Sequence, residues 1–176
     1  KFNFRNVLAV SSGTAALHLA FVLANIKNGD EVISTSMTAE PTNTSIKQSG
    51  GIPIFADIDP KTGNISPKSS ERLINKKTKA ICVVHYGGYP AEISKISKIA
   101  KEFKLFLIED CAHALGTFGR KKHIGNYGIS GVFSFYPTKQ ITTGEGGMII
   151  VNSKSIMKRL LSLKAFGINK DINLRK

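Results

Sequence analysis

The sequence has few of the residues that mark secreted or membrane proteins. In 176 residues it contains no tryptophan and only two cysteines, Cys82 and Cys111, which lie in or beside apolar segments. Two cysteines are too few for a disulfide framework, which favours a reducing compartment. No apolar run reaches the ~18 residues of a membrane span, and residues 1–10 lack the apolar core of a signal peptide. We therefore expect a cytoplasmic protein with no membrane partner.

Acidic residues are also scarce. Twelve Asp and Glu face 25 Lys and Arg, which gives a formal net charge of +13. Clustered cations would bind a phosphate polyanion, but these are scattered along the chain, and aromatic residues that stack on bases amount to only 8%. The scatter favours a lysine-rich solvated surface. A local basic patch for a small phosphate ligand is the second interpretation, and nucleic-acid binding is supported by charge alone.

Short apolar segments alternate with segments of helical periodicity, which is typical of an α/β fold with a mostly parallel sheet. Apolar residues recur with helical spacing from Leu17 to Ala24 and from Ile93 to Phe103, which predicts two helices that each pack one face on the sheet. Ser66 before Pro67 predicts the start of another helix. The predicted strands are Val7–Val10, Glu31–Ser34, Ile52–Ala56, Ala80–Val84, Leu105–Ile108, Gly131–Phe135 and Met148–Val151.

Ligands of such sheets bind beyond the carboxyl ends of the strands, so the residues that follow each strand are informative. Residues 11–16, Ser-Ser-Gly-Thr-Ala-Ala, join the first strand to a helix, and Gly13 permits a tight turn there. The first amide protons of that helix are free to attract a phosphate. The same turn is also an ordinary helix cap, and it lacks the pattern of a nucleoside-triphosphate loop.

Two further residues near strand ends carry chemistry. Asp110 follows the apolar residues 105–108, where an ionised carboxylate is costly without a positive partner. That partner could be a protonated ring nitrogen of a cofactor or an Arg or Lys, or the carboxylate could cap the next turn. His113 could bond the same ligand or have a structural role.

Lys139 differs from the other lysines because it follows the apolar residues 132–136 and precedes the glycine-rich residues 142–147. A desolvated amine loses its charge more readily than an exposed one, and a lysine that forms a Schiff base requires this. A surface lysine at a strand end is the alternative interpretation.

Together these segments resemble the sugar aminotransferases of the DegT/DnrJ/EryC1/StrS family, which are pyridoxal-phosphate enzymes with the aspartate aminotransferase fold (fold type I). The resemblance rests on residues 11–20, 29–33, 108–116 and 133–147, which occur in the family's order and approximate spacing. It implies a three-layer αβα fold with a mostly parallel sheet of about seven strands. Because family members are longer, it also implies that residues 1–176 are an incomplete cofactor-binding large domain, without an N-terminal segment and the C-terminal small domain.

The resemblance assigns two catalytic residues and no metal. Lys139 would form the Schiff base with pyridoxal 5'-phosphate and then move protons between the cofactor and the substrate carbon. Asp110 would pair with the pyridinium nitrogen and keep the ring an electron sink. Related sugar dehydratases have histidine in place of Lys139, so this lysine favours transamination.

The resemblance also assigns the cofactor-binding residues. Thr14, together with the amides of Gly13 and Ala15, would hold the phosphate, and Ser134 would add a hydroxyl group to it. His113 would lie beside the cofactor ring and its phenolic oxygen.

The reaction implied is transfer of an amino group, usually from glutamate, to a keto group of a nucleotide-linked deoxysugar by way of pyridoxamine phosphate (PMP). The resemblance also implies a homodimer that serves surface-polysaccharide or amino-sugar biosynthesis.

One residue departs from the family's pattern. Many relatives have an aromatic residue that stacks on the ring where this sequence has Ala39. Glu40 or Met37 could approach that face, or the segment could simply start a helix at Pro41. A non-catalytic or regulatory protein with this fold is therefore the alternative function.

Overall fold

The structure is a computed structural model that describes residues 4, 6–120, 122–164 and 167. The strands are β1 (Asn6–Val10), β2 (Glu31–Ser34), β3 (Ile52–Phe55), β4 (Thr78–Val84), β5 (Phe106–Asp110), β6 (Ser130–Ser134) and β7 (Gly147–Val151). The α-helices are α1 (Gly13–Leu23), α2 (Glu40–Gln48), α3 (Pro67–Arg72), α4 (Ile93–Glu102) and α5 (Lys154–Lys164). Each predicted strand lies within two residues of an observed one, so the strand predictions are confirmed.

All seven strands form one sheet in the order β1-β7-β6-β5-β4-β2-β3. Strands β2 to β6 are parallel to one another, whereas β7 is antiparallel to both of its neighbours, β6 and β1. From β2 the chain moves first outward to β3 and then back past β2 to β4, so the strand order reverses between β2 and β4. Ligand sites of open α/β sheets lie at such a reversal, beyond the carboxyl ends of the strands.

Helices cover both faces of the sheet because side chains alternate along each strand. Val32 packs in an apolar cluster with residues of α1, α2 and α5, while its neighbour Ile33 packs on the opposite face with residues of α4. The three-layer αβα fold is therefore confirmed. In the described ranges, no helix has the length and apolar character needed to cross a membrane.

The helix predictions hold with one exception. Ser66 caps α3 as predicted, since its Oγ accepts a bond from Ser69 N at 3.3 Å. The prediction that Phe103 belongs to the buried face of α4 is wrong, because the helix ends at Glu102 and Phe103 is 43% exposed. Ile99 is buried on that helix instead.

Candidate active site

A cavity of about 540 Å³ lies at the carboxyl edge of the parallel strands. This volume is within the range of about 300–1,000 Å³ that is typical of small-molecule sites. Six of the seven predicted cofactor-binding residues line it, namely Gly13, Thr14, Asp110, His113, Ser134 and Lys139. Residues that the sequence analysis did not assign to the site also line it, among them Ser12, Thr42, Ala112, Thr138 and Glu145.

The amino-terminal end of α1 offers two free amides to this cavity. Ser12 caps the helix, because its Oγ accepts from Ala15 N at 3.0 Å and its carbonyl accepts from Ala16 N at 3.1 Å. Within the described part of the chain, the amides of Gly13 and Thr14 donate to no protein acceptor. These amides and the helix dipole attract an anion. The structure does not bring Ala15 to the cavity, since its amide is used by the cap.

Close packing places Ser134 beside this helix end. A Cβ atom at residue 13 would lie only 2.9 Å from the Ser134 Cβ, so glycine is required for the start of α1 to rest on the end of β6. A Cβ atom at Gly147 would collide in the same way with the Ser12 carbonyl. Ser134 Oγ accepts from Tyr136 N at 3.4 Å and keeps its own proton for another acceptor.

Asp110 is the last residue of β5 and is 4% exposed. Its Oδ1 accepts from Ala112 N at 3.1 Å, and its Oδ2 accepts from Thr42 Oγ1 at 2.7 Å. No lysine or arginine of the described ranges forms an ion pair with it. An ionised carboxylate offers about four acceptor positions, so each oxygen still has a lone pair for a further donor.

Lys139 lies in a turn after β6, with its backbone N bonded to Tyr136 O at 3.0 Å. Partial burial lowers the pKa of its amine from the ordinary value of 10.5, and the Asp110 carboxylate opposes this shift. A lysine with a lowered pKa spends more time as a neutral nucleophile at neutral pH. The carboxylate and the amine that the sequence predicted to share a site therefore line one cavity.

His113 lies in the loop after β5, on the same cavity. Partial burial is the main cause that lowers its pKa from 6.5; the Lys139 cation adds to the effect and the Asp110 carboxylate opposes it. Gln140 donates its side-chain amide to the His113 carbonyl, so the loop after β5 and the loop after β6 are tied together. His113 is thus a neutral imidazole near neutral pH, able to donate from one ring nitrogen and accept at the other.

Ala39 lines the cavity at the residue before α2, with Pro41 in the first turn of the helix, so the prediction of a helix start is confirmed. Neither Met37 nor Glu40 lines the cavity. A smaller adjoining cavity of about 50 Å³ adds Tyr86, whose ring packs so closely on Gly63 that a Cβ atom there would lie 2.7 Å from it. This aromatic residue was not predicted from the sequence, although its position two residues after the end of β4 was a signal.

A second cluster of polar groups lies deep in the fold. Donor atoms of His85, Glu109 and Cys111 lie within 4.8 Å of one another, which is compatible with a metal ion. Each of them already has a protein partner. His85 Nδ1 accepts from Ala91 N at 3.1 Å, which leaves its proton on Nε2, 3.3 Å from Glu109. Burial raises the pKa of the Cys111 thiol well above 9.0, so in the metal-free protein it is a neutral thiol.

A model of the DegT/DnrJ/EryC1/StrS aminotransferase family matches residues 2–175. The chain belongs to this family. It is 44% identical over 159 residues to the GDP-perosamine synthase of Escherichia coli O157:H7, with 90% of the chain and 44% of that enzyme aligned. The resemblance predicted from sequence is thereby confirmed.

Solved structures agree with the family assignment. An aminotransferase from Psychrobacter cryohalolentis superimposes on 99% of the chain with a TM-score of 0.95 and 34% identity, and 45% of its own length is covered. NtdA from Bacillus subtilis, solved with its bound cofactor PMP, gives a TM-score of 0.91 at 31% identity over 99% of the chain and 40% of NtdA. The family and this neighbour agree with the predicted cofactor, pyridoxal phosphate. The chain spans less than half the length of these relatives.

Proposed function

We propose that the whole protein is a pyridoxal-phosphate-dependent nucleotide-sugar aminotransferase, and that residues 1–176 are most of its cofactor-binding large domain. The observation that carries this proposal is one cavity that joins the half-buried amine of Lys139, the buried carboxylate of Asp110 and the free amides at the start of α1. The amine is a nucleophile, the carboxylate is an anion, and the helix start binds anions. Each would bind a different group of the same cofactor.

The residues present fit pyridoxal phosphate. The phosphate would be held by the amides of Gly13 and Thr14 and by the hydroxyl of Ser134. The open lone pairs of Asp110 would accept a bond from the protonated ring nitrogen, and this also explains a buried carboxylate that has no cationic partner among the described residues. When bound, the cofactor supplies a ring that accepts electrons from the substrate carbon.

Lys139 and His113 would handle protons around the ring. The lowered pKa of Lys139 favours the neutral form of its Nζ, which would take a proton from one carbon and return it to another. His113, neutral for the same physical reason, would donate a hydrogen bond to the phenolic oxygen without adding a positive charge.

The proposed acceptor is a nucleotide-linked keto sugar, which is supported by the likeness to GDP-perosamine synthase. The proposed donor is glutamate, as the resemblance of the sequence implies. The chain covers less than half of that enzyme, so other parts of the protein would hold the sugar. We also assign a homodimer to the whole protein.

Trapping the amine that holds the cofactor tests the proposal. The intact protein is loaded with pyridoxal phosphate, reduced with borohydride and mapped by mass spectrometry. We expect the label on Lys139 and its loss in Lys139→Ala, with Lys98→Ala, an exposed lysine of α4, as the matched control. A label on a different lysine would overturn the assignment.

The absence of a ring-stacking side chain at Ala39 favours one alternative, a regulatory protein that binds cofactor without turnover. Glutamate added to the loaded protein distinguishes the two. An aminotransferase converts the cofactor to PMP, which is measured as a change in its visible absorbance, whereas a regulatory protein leaves the spectrum unchanged.

A further inference from the structure

Two threonine hydroxyls lead to the carboxylate of Asp110. Thr42 Oγ1 donates to Asp110 Oδ2 at 2.7 Å, and Thr38 Oγ1 lies 2.8 Å from Thr42 Oγ1. A hydroxyl has a single proton. Because Thr42 gives its proton to the carboxylate, the proton between the two threonines belongs to Thr38. The chain of donors therefore runs from Thr38 through Thr42 to Asp110.

The start of α2 holds Thr42 in place. Asn43, the next residue, donates to Thr35 O at 3.0 Å and accepts from Ser34 Oγ at 2.8 Å, which fixes the helix to the end of β2. Thr42 itself is 1% exposed. Water therefore has little access to replace its hydroxyl, and a loss of that hydroxyl leaves Asp110 Oδ2 short of a donor.

The contact controls how the carboxylate is turned. Ala112 N, in the turn that follows β5, donates to Oδ1, and Thr42 Oγ1, in α2, donates to Oδ2. Two donors on two oxygens fix rotation about the Cβ–Cγ bond, whereas one donor leaves that torsion free. With both present, the remaining lone pairs have a fixed direction.

We propose that Thr42 is a positioning residue that turns the Asp110 carboxylate toward the ring nitrogen of the cofactor, with Thr38 orienting the Thr42 hydroxyl. This inference rests on the proposed function, because it needs a bound pyridoxal phosphate. It assigns to the start of α2 a role in holding the cofactor even though Ala39 of the same segment provides no aromatic ring.

The test compares cofactor affinity in variants of the intact protein by equilibrium dialysis of the cofactor-free form. Thr42→Val keeps the shape but removes the hydroxyl, and we expect a dissociation constant about tenfold higher. Thr42→Ser restores the hydroxyl and should stay within about twofold of the parent. Thr44→Val is the matched control, because Thr44 is on the same helix and its hydroxyl bonds only to Glu40 O in the described structure.

Each result has a distinct meaning. If the parent protein binds no pyridoxal phosphate, the proposed function fails. If the parent binds it and Thr42→Val binds equally well, or if Thr42→Ser is as weak as Thr42→Val, the positioning role is overturned. Thr38→Val tests the same inference if Thr42→Val does not fold, since Thr38 is only partly buried. We expect Thr38→Val to raise the dissociation constant of the cofactor about threefold, and an unchanged dissociation constant contradicts the inference.

Discussion

Glu109 and Asp110 are neighbours at the end of β5, both are buried, and they are used in opposite ways. Glu109 accepts from the backbone amides of Gly125 (2.7 Å), Tyr127 (2.6 Å) and Gly128 (2.8 Å), and His85 Nε2 lies 3.3 Å away. In the part of the chain that the structure describes, the Asp110 carboxylate accepts from two donors, Thr42 Oγ1 and Ala112 N. Consecutive side chains of a strand point to opposite faces. One carboxylate is therefore saturated by the protein, and the other keeps capacity for a ligand.

Burial alone does not distinguish the two acids, but the number of hydrogen-bond donors around each carboxylate does. Their exposed fractions are 0% for Glu109 and 4% for Asp110. Glu109 fastens the loop over residues 125–128, which leads directly into β6. That strand ends at Ser134 and is followed by Lys139. The bonds of Glu109 therefore help to position the strand that carries these two site residues.

The largest effect is expected when Glu109 is changed to Gln. The amide nitrogen of Gln cannot accept a backbone N–H, so at least one of the three loop bonds is replaced by a clash of donors. We expect a loss of about 3–5 kcal/mol in the free energy of unfolding, measured by urea denaturation of the intact protein. Glu102→Gln, on the exposed end of α4, is the control and should change it by less than about 0.5 kcal/mol.

Asp110→Asn should affect cofactor binding much more than stability. The Asn oxygen can accept from Ala112 N, and its amide can donate to the Thr42 hydroxyl, which is able to accept, so we expect the unfolding free energy to fall by no more than about 1 kcal/mol. Cofactor affinity should fall about ten- to a hundredfold, because the bond to a protonated ring nitrogen loses its charge. Equal losses of stability in Glu109→Gln and Asp110→Asn would remove the distinction between the two acids.

The charge of Asp110 also affects the pKa of Lys139. In the cofactor-free protein we expect Lys139 to titrate below 10.5, because partial burial lowers its pKa. Asp110→Asn should lower it further, since the carboxylate is the group that raises it. NMR of ¹³C-methylated lysines measures both values, with Lys98 as an exposed reference. An unchanged Lys139 pKa in Asp110→Asn would show that the two groups do not interact.

The smallest effect on stability is expected at the carboxyl end of α1. The two ends of this helix also differ in whether the protein satisfies their backbone groups. The amides at the start of the helix are open, but the Arg159 guanidinium donates to the carbonyls of Val22 (3.2 Å) and Leu23 (3.3 Å) at its end. Arg159→Ala should lower the unfolding free energy by about 0.3–1 kcal/mol and leave cofactor affinity unchanged. Weakened cofactor binding would mean that this helix end also shapes the site.

Sequence patterns predicted the sheet well because each strand carries its own local signal. Apolar segments bounded by turns located all seven strands, whereas helix ends depend on local backbone detail, which is why Phe103 was misplaced. The sequence alone also does not show which amides of a helix start remain free. The Ala15 amide, which the resemblance assigns to the phosphate, donates to the Ser12 side chain in the structure.

Thr42 was missed for a different reason. Its contact with Asp110 joins residues 68 positions apart, and nothing in the local sequence of α2 indicates it. The motif around Lys139 could be recognised because its residues are adjacent in the chain. Contacts made by single hydroxyls across the sheet become visible only once the strand order is known.

The antiparallel position of β7 has a consequence for how the protein is made. In the described sheet β1 pairs only with β7, so the first strand cannot join the sheet until residues 147–151 have left the ribosome. The turn that we propose to bind phosphate follows β1 directly. We therefore expect nascent chains that end before residue 147 to lack a stable cofactor site, so that cofactor binding would come late in biosynthesis.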